Sequence, residues 1–175
     1  MDTSTTAIGY HGTSTGAVRG ILRSGFLVDE RRFHWLGRGV YFWQDAPQRA
    51  RLWAESRFGA EAAVLKATIS LQHCIDLLDV KWVAGLSNAY DELVTRSGAI
   101  GQALPEQGTG AHWLDFEVLE FFVGMLTDMG FRVCSVRCAF TEGAPVYPGS
   151  AIASLAHVQI AVRDLAVISD LGTNL

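Results

Sequence analysis

Several things are scarce in this chain, and each scarcity removes a class of function. Positive charge is the first: fourteen Lys and Arg stand against eighteen Asp and Glu, for a formal net charge of −4. A protein whose affinity rests on neutralising many phosphates is normally basic, so nucleic acid is disfavoured as a bulk electrostatic partner. A local basic strip from Arg31 to Arg38 is the exception. Cysteine is next, with only Cys74, Cys134 and Cys138. An odd count without a C-x-x-C spacing argues against a disulfide framework or a zinc site, and Cys134 and Cys138, on one face of an apparent strand, read as small buried hydrophobes. His73 and His112 have no neighbour at metal-ligand spacing and read as structural; no metal is expected. No apolar run reaches the roughly 18 to 20 residues of a membrane span. The opening "MDTSTTAIGY" has neither a charged start nor a long apolar core, so no secretory signal is expected and a reducing, cytoplasmic setting is the default. Internal repeats and low-complexity tracts are also missing.

What is present suits a single domain over residues 1–175. Apolar residues make up 49% and charged residues 18%, a globular balance with enough apolar mass for a core. "AIGYHG" reads as a short strand ending in glycine. Val18, Ile21 and Leu22 recur at helical spacing before Gly25. "GVYFW" is a β-prone run. The segment "DAPQRARLWAESRFG" predicts a helix with Asp45 as N-cap, Pro47 in its first turn and Gly59 as its stop. "AAVLKATISLQHCIDLLD" predicts one or two strands, followed by a helix from Lys81 to Ser97. A Gly-rich loop, "GAIGQALPEQGTGAH", precedes an apolar helix from Leu114 to Met129. "FRVCSVRCAF" and "HVQIAVRDLAVI" alternate as strands. The order of elements predicts an α+β fold, with no regular βαβ alternation.

Three polar residues stand in short β segments beside glycine or apolar neighbours: His11 in "YHGT", Tyr41 in "GRGVYF" and Gln159 in "HVQIAVRD". Each alone has an ordinary structural explanation. Gln159 is the odd one, because a buried amide without partners costs free energy. Together, "HGTSTGAVRGILRSGF" and "LGRGVYFWQDAPQRARLWA" resemble the NAD-binding half of ADP-ribosyltransferases, in the branch of diphtheria toxin and the poly(ADP-ribose) polymerases. That branch carries His-Gly-Ser/Thr at a strand end, an amphipathic helix closed by glycine, a Gly-x-Gly-x-Tyr-Phe strand, and a helix with small residues and an aromatic. The match covers about Tyr10 to Ala54. Beyond it, similarity is thin until the last strand, where Gln159 stands in place of the family's glutamate.

The resemblance implies an ADP-ribosyltransferase-like split β-sandwich core with flanking helices, and NAD as substrate. It implies that Gly12 offers backbone groups to the nicotinamide carboxamide and that His11 contacts the adenosine-side ribose, with Thr13 adding a hydroxyl. Tyr41 and Trp53 would wall the nicotinamide, and Arg38 or a neighbouring arginine would reach the pyrophosphate. His34 falls where the family contacts adenosine or acceptor. A glutamine at position 159 can accept a hydrogen bond from the ribose hydroxyl through its amide oxygen but supplies no charge and no base, which favours transfer of a single ADP-ribose over chain elongation. Glu142 is the candidate substitute carboxylate, and His157, two residues from Gln159, a candidate neighbour. Glu117 and Asp115 read as a solvated helix face. The expected activity is mono-ADP-ribosyl transfer to a macromolecular acceptor, protein or nucleic acid, in a bacterial toxin or defence setting with an antitoxin or immunity partner. NAD hydrolysis, a silent NAD- or ADP-ribose-binding module and an RNA 2′-phosphotransferase-like enzyme are the alternatives.

Overall fold

Local chemistry at a few junctions sets the elements that position the site. A computed structural model describes residues 5–108 and 110–173. Strand β1 (Thr6–Ser14) passes directly into helix α1 (Thr15–Ser24). Ser14 permits the change: its backbone is extended, and its hydroxyl oxygen accepts the Ala17 amide at 3.3 Å as an N-cap. Gly25 ends the helix at a positive φ of 80°, its amide donating to the Ile21 carbonyl at 2.8 Å. β1 therefore runs two residues beyond Gly12, because the cap and not the glycine ends the strand.

Strand β2 (Val40–Gln44) leads to helix α2 (Pro47–Phe58). Asp45 is not the N-cap of α2. It sits at φ 51° in the turn, and its amide donates to the Ile8 carbonyl at 2.9 Å. Ala46 holds the cap position without a side-chain bond, which Pro47 tolerates because its missing N–H needs no acceptor. There follow β3 (Ala62–Ser70), β4 (Cys74–Asp76), α3 (Val80–Ala99), α4 (Trp113–Asp128), β5 (Ser135–Phe140), β6 (His157–Val162) and β7 (Ile168–Thr173). The expected strand from Phe131 starts only at Ser135; Phe131 lies exposed before it.

The described strands form one mixed sheet in the order β4-β5-β6-β2-β1-β3-β7, with four α-helices: an α+β organisation. Only β4 and β5 pair in parallel. Helix α1 packs on one face, where Val18 and Ile21 meet a core of Phe26, Phe42, Leu65, Ile69 and Ile160. Helices α3 and α4 cover the other face over β4, β5 and β6, with Leu119, Phe122 and Leu126 against Ile75 and Val136. A small third core, Trp43, Ala50 and Val64, lies under α2.

The centre of the sheet carries a discontinuity. β1 pairs with β3 over nine positions, from Thr6 opposite Ser70 to Ser14 opposite Ala62. With β2 it pairs at two, Gly9 opposite Gln44 and Tyr10 opposite Trp43. Past Tyr10 the two strands part. The sheet is one hydrogen-bonded surface splayed in the middle, where a two-sheet sandwich was expected. Among the described residues no helix is long and apolar enough to cross a membrane.

Candidate functional site

The gap between β1 and β2 is where the sequence-predicted residues meet. His11 spans it: Nδ1–H donates to the Tyr41 backbone carbonyl at 2.9 Å. A carbonyl can only accept, so Nδ1 carries the proton and Nε2 of the neutral ring keeps its lone pair. Burial lowers the His11 pKa, and the raising effect of the Tyr41 carbonyl is the smaller one. The neutral form is therefore the native one. Phe26 and Phe42 hold the ring edge-on and tilted, at centroid distances of 4.9 and 5.6 Å.

Gly12 serves two needs. A Cβ there would lie 2.6 Å from the Ala50 carbonyl oxygen and 3.0 Å from the Trp53 ring, so α2 packs this closely only against glycine. Its backbone direction follows from Ile8, whose carbonyl accepts from Asp45 on the β2 side. Residues two apart in an extended strand face the same neighbour. Gly12 thus turns its N–H and C=O toward the side that β2 has left, into the open gap.

Two connected cavities occupy this gap. The larger, about 620 Å³, is lined by His11, Gly12, Thr13, the inner side of α1 and the segment after it. The smaller, about 410 Å³, is lined by Trp35, Arg49, His112, Glu142 and Gln159. Arg31, His34, Tyr41, Trp43 and Trp53 border both and form the junction. Tyr41 is fixed there by its hydroxyl, which donates to the Gly37 carbonyl at 2.7 Å and accepts the Leu36 amide at 3.0 Å. Burial pushes its pKa far up, so it is a neutral wall and no base. Trp53, about a third exposed, leans on Trp43 at 5.6 Å.

Gln159 lies opposite Trp43 on β2 and Cys138 on β5, buried on the sheet face of the smaller cavity. The Trp35 indole N–H donates to its Oε1 at 2.9 Å. An indole has only a donor, so the amide oxygen must face Trp35 and the NH2 is left for the cavity. Glu142 borders the same cavity and is ion-paired to Arg49, whose guanidinium lies 5.6 Å from the Trp43 ring centroid. His157 shares the strand face of Gln159 but stands behind the wall. Its Nδ1–H donates to the Leu155 carbonyl at 2.7 Å, and its buried Nε2 has no partner.

Arg38 is not part of the cleft. Its guanidinium pairs at 2.7 Å with Glu120 of α4, and Glu120 also receives Arg163 at 2.6 and 2.8 Å. Burial alone would raise the Glu120 pKa, but the two arginines hold it at about 2. This knot pins the Gly37–Arg38 turn to β6 and spends the arginine on structure. Arg31 is the arginine that borders both cavities. It grips Asp29 through Nε at 2.9 and 3.0 Å, and that guanidinium holds the Asp29 carboxyl well below the usual range. His34 Nε2 meets the same carboxylate at 2.9 Å and lies against Tyr41 at 4.9 Å. Glu117 pairs with Arg32, and Asp115 faces His112 and Gln107, outside the larger cavity and away from Gln159.

Sequence reasoning missed Asp29, Trp35 and Arg49, and covered Arg31 only as a neighbour of Arg38 in the basic strip. The two aromatics in "RRFHWLGRG", just ahead of Tyr41, were the available signal for Trp35. His112, expected to be structural, lies against Trp35 in the cavity wall, 4.5 Å away and tilted at 36°. No family model and no curated protein sequence matches this chain.

Proposed function

We propose that the cleft binds NAD and that the chain is an NAD-dependent mono-ADP-ribosyltransferase. The observation that carries this reading is convergence: His11, Gly12, Thr13, Tyr41, Trp53 and Gln159 arrive from four elements at one splayed seam. The parting of β1 and β2 also suits an ADP-ribosyltransferase-like core. Because the larger cavity holds His11 and Gly12 while Gln159 borders only the smaller, the reacting ribose C1′ belongs at the junction.

The bond to be broken joins ribose C1′ to a cationic nicotinamide nitrogen. Nicotinamide leaves neutral, so no general acid is needed. The site must orient the ring and stabilise an oxocarbenium-like ribose. Gly12 N–H and C=O pair with the carboxamide, and Tyr41 and Trp53 enclose the ring. His11 Nε2 accepts from an adenosine-ribose hydroxyl. Arg31 takes the pyrophosphate, exchanging Asp29 for phosphate oxygens in the same forked geometry. Gln159 donates through its NH2 to the nicotinamide-ribose 2′-oxygen. Glu142 contributes the negative charge that position 159 lacks, and accepts a proton from the incoming nucleophile.

The orientation of Gln159 supports a second reading, a module that binds NAD without cleaving it, since its amide presents positive hydrogens to the growing cation. Product analysis separates the two. Nicotinamide release from NAD that is lowered by Glu142→Ala supports the transferase. Saturable NAD binding with no nicotinamide released supports the module. Release with free ADP-ribose as the sole product makes the chain a glycohydrolase.

A further inference from the structure

Given the transferase reading, on which this rests, we infer that the smaller cavity takes a nucleobase of a single-stranded nucleic acid as the acceptor. Its walls are chiefly flat rings and arginines. Trp35 and His112 stand side by side in the lining, 4.5 Å apart and tilted at 36°, and Phe140 stacks on Trp35 from outside the lining at 3.9 Å and 19°. Trp43 and Trp53 line the same space. Arg31, Arg49 and Arg57 border the space, and the Arg57 guanidinium has no ion pair or hydrogen bond among the described residues. Stacking platforms beside a cationic rim are what unpaired bases on a phosphate backbone require.

The same residues disfavour a cationic acceptor such as an arginine side chain. Three arginines border the cavity among the described residues, against one carboxylate, Glu142, which is ion-paired to Arg49 through one of its oxygens. Gln159 adds selectivity of the same sense: one N–H of its amide serves the ribose 2′-oxygen, and the second can donate to a base carbonyl or ring nitrogen. The overall charge of −4 fits an acceptor held briefly through a few phosphates. Strand selectivity follows from the walls: a paired base cannot enter between rings.

The step balances without a further reagent. A base nitrogen donates its lone pair to C1′ as the C1′–nicotinamide bond breaks, both electrons of that bond leaving with nicotinamide. The N–H proton passes to the Glu142 oxygen not held by Arg49 and then to water.

The test is to incubate the protein with adenine-labelled NAD and mixed-sequence DNA and RNA oligonucleotides, single-stranded or annealed, beside acidic and arginine-rich peptides. Nicotinamide release and NAD binding are followed in parallel. Label should enter single strands, with duplexes about tenfold lower, and Arg57→Glu should raise the oligonucleotide KM about fivefold. Nicotinamide release with label on peptides, or on no polymer, overturns the acceptor assignment and leaves the NAD reading standing. Absence of NAD binding removes the reading beneath it and the assignment together.

Discussion

In the larger lobe of the cleft, the groups on offer are backbone and small residues: the Gly12 amide and carbonyl, Thr13, and one histidine nitrogen whose protonation a carbonyl dictates. In the smaller lobe they are long side chains tied in pairs, Trp35 to Gln159 and Arg49 to Glu142. The first arrangement is pre-formed and cannot be tuned without moving a strand. The second can be altered one side chain at a time. Binding of a constant ligand suits the rigid lobe, and choice of chemistry and acceptor suits the adjustable one.

The largest effect expected comes from breaking the rigid lobe. Gly12→Ala places a methyl against the Ala50 carbonyl and Trp53, and overpacking of this kind costs about 1–3 kcal/mol. Calorimetric titration should show NAD affinity falling by about a hundredfold as the backbone shifts, whereas Trp35→Phe should leave it within about threefold. A smaller change sharpens the adjustable lobe. Gln159→Glu retains an oxygen for the Trp35 indole and adds charge, and should raise nicotinamide release about tenfold, read by chromatography. Trp35→Phe frees the Gln159 amide to flip and should cost about 1 kcal/mol in urea unfolding. Its effect on turnover should vanish in the Gln159→Glu background, where both oxygens are alike.

The smallest expected effect is one of pH. His11 has a lowered pKa in the folded state, so the unfolded chain binds the proton more readily as pH falls through the ordinary histidine range near 6.5. Its contribution to stability is therefore full above that range and declines below it. NAD affinity should be flat from pH 8 to the histidine range and weaken only under more acid conditions. An NMR titration that placed the His11 pKa above 6.5 would contradict the neutral ring.

Much of the rigid lobe was legible in the sequence because its causes are local. The helical spacing of Val18, Ile21 and Leu22 ends where Gly25 closes α1, and the β-prone run "VYFW" forms β2. Strand alternation likewise placed Gln159 on the face of His157. The adjustable lobe was not legible, because its pairs join residues far apart in the chain: Trp35 and Gln159 are 124 positions apart, and Arg49 and Glu142 are 93. Arg38 was misread for the same reason. A motif arginine looks free until Glu120, 82 positions later, is folded beside it. Asp45 shows the opposite limit: a residue type favoured at caps stands one position before the cap, Ala46, with its amide bonded to the Ile8 carbonyl.

The most direct measurement is a crystal structure of the protein soaked with NAD. The account predicts the carboxamide on the Gly12 backbone, the adenosine ribose at His11 Nε2, the pyrophosphate on Arg31, and C1′ at the junction facing Gln159. A dinucleotide lying wholly within the smaller lobe, or bound away from the seam between β1 and β2, would contradict it.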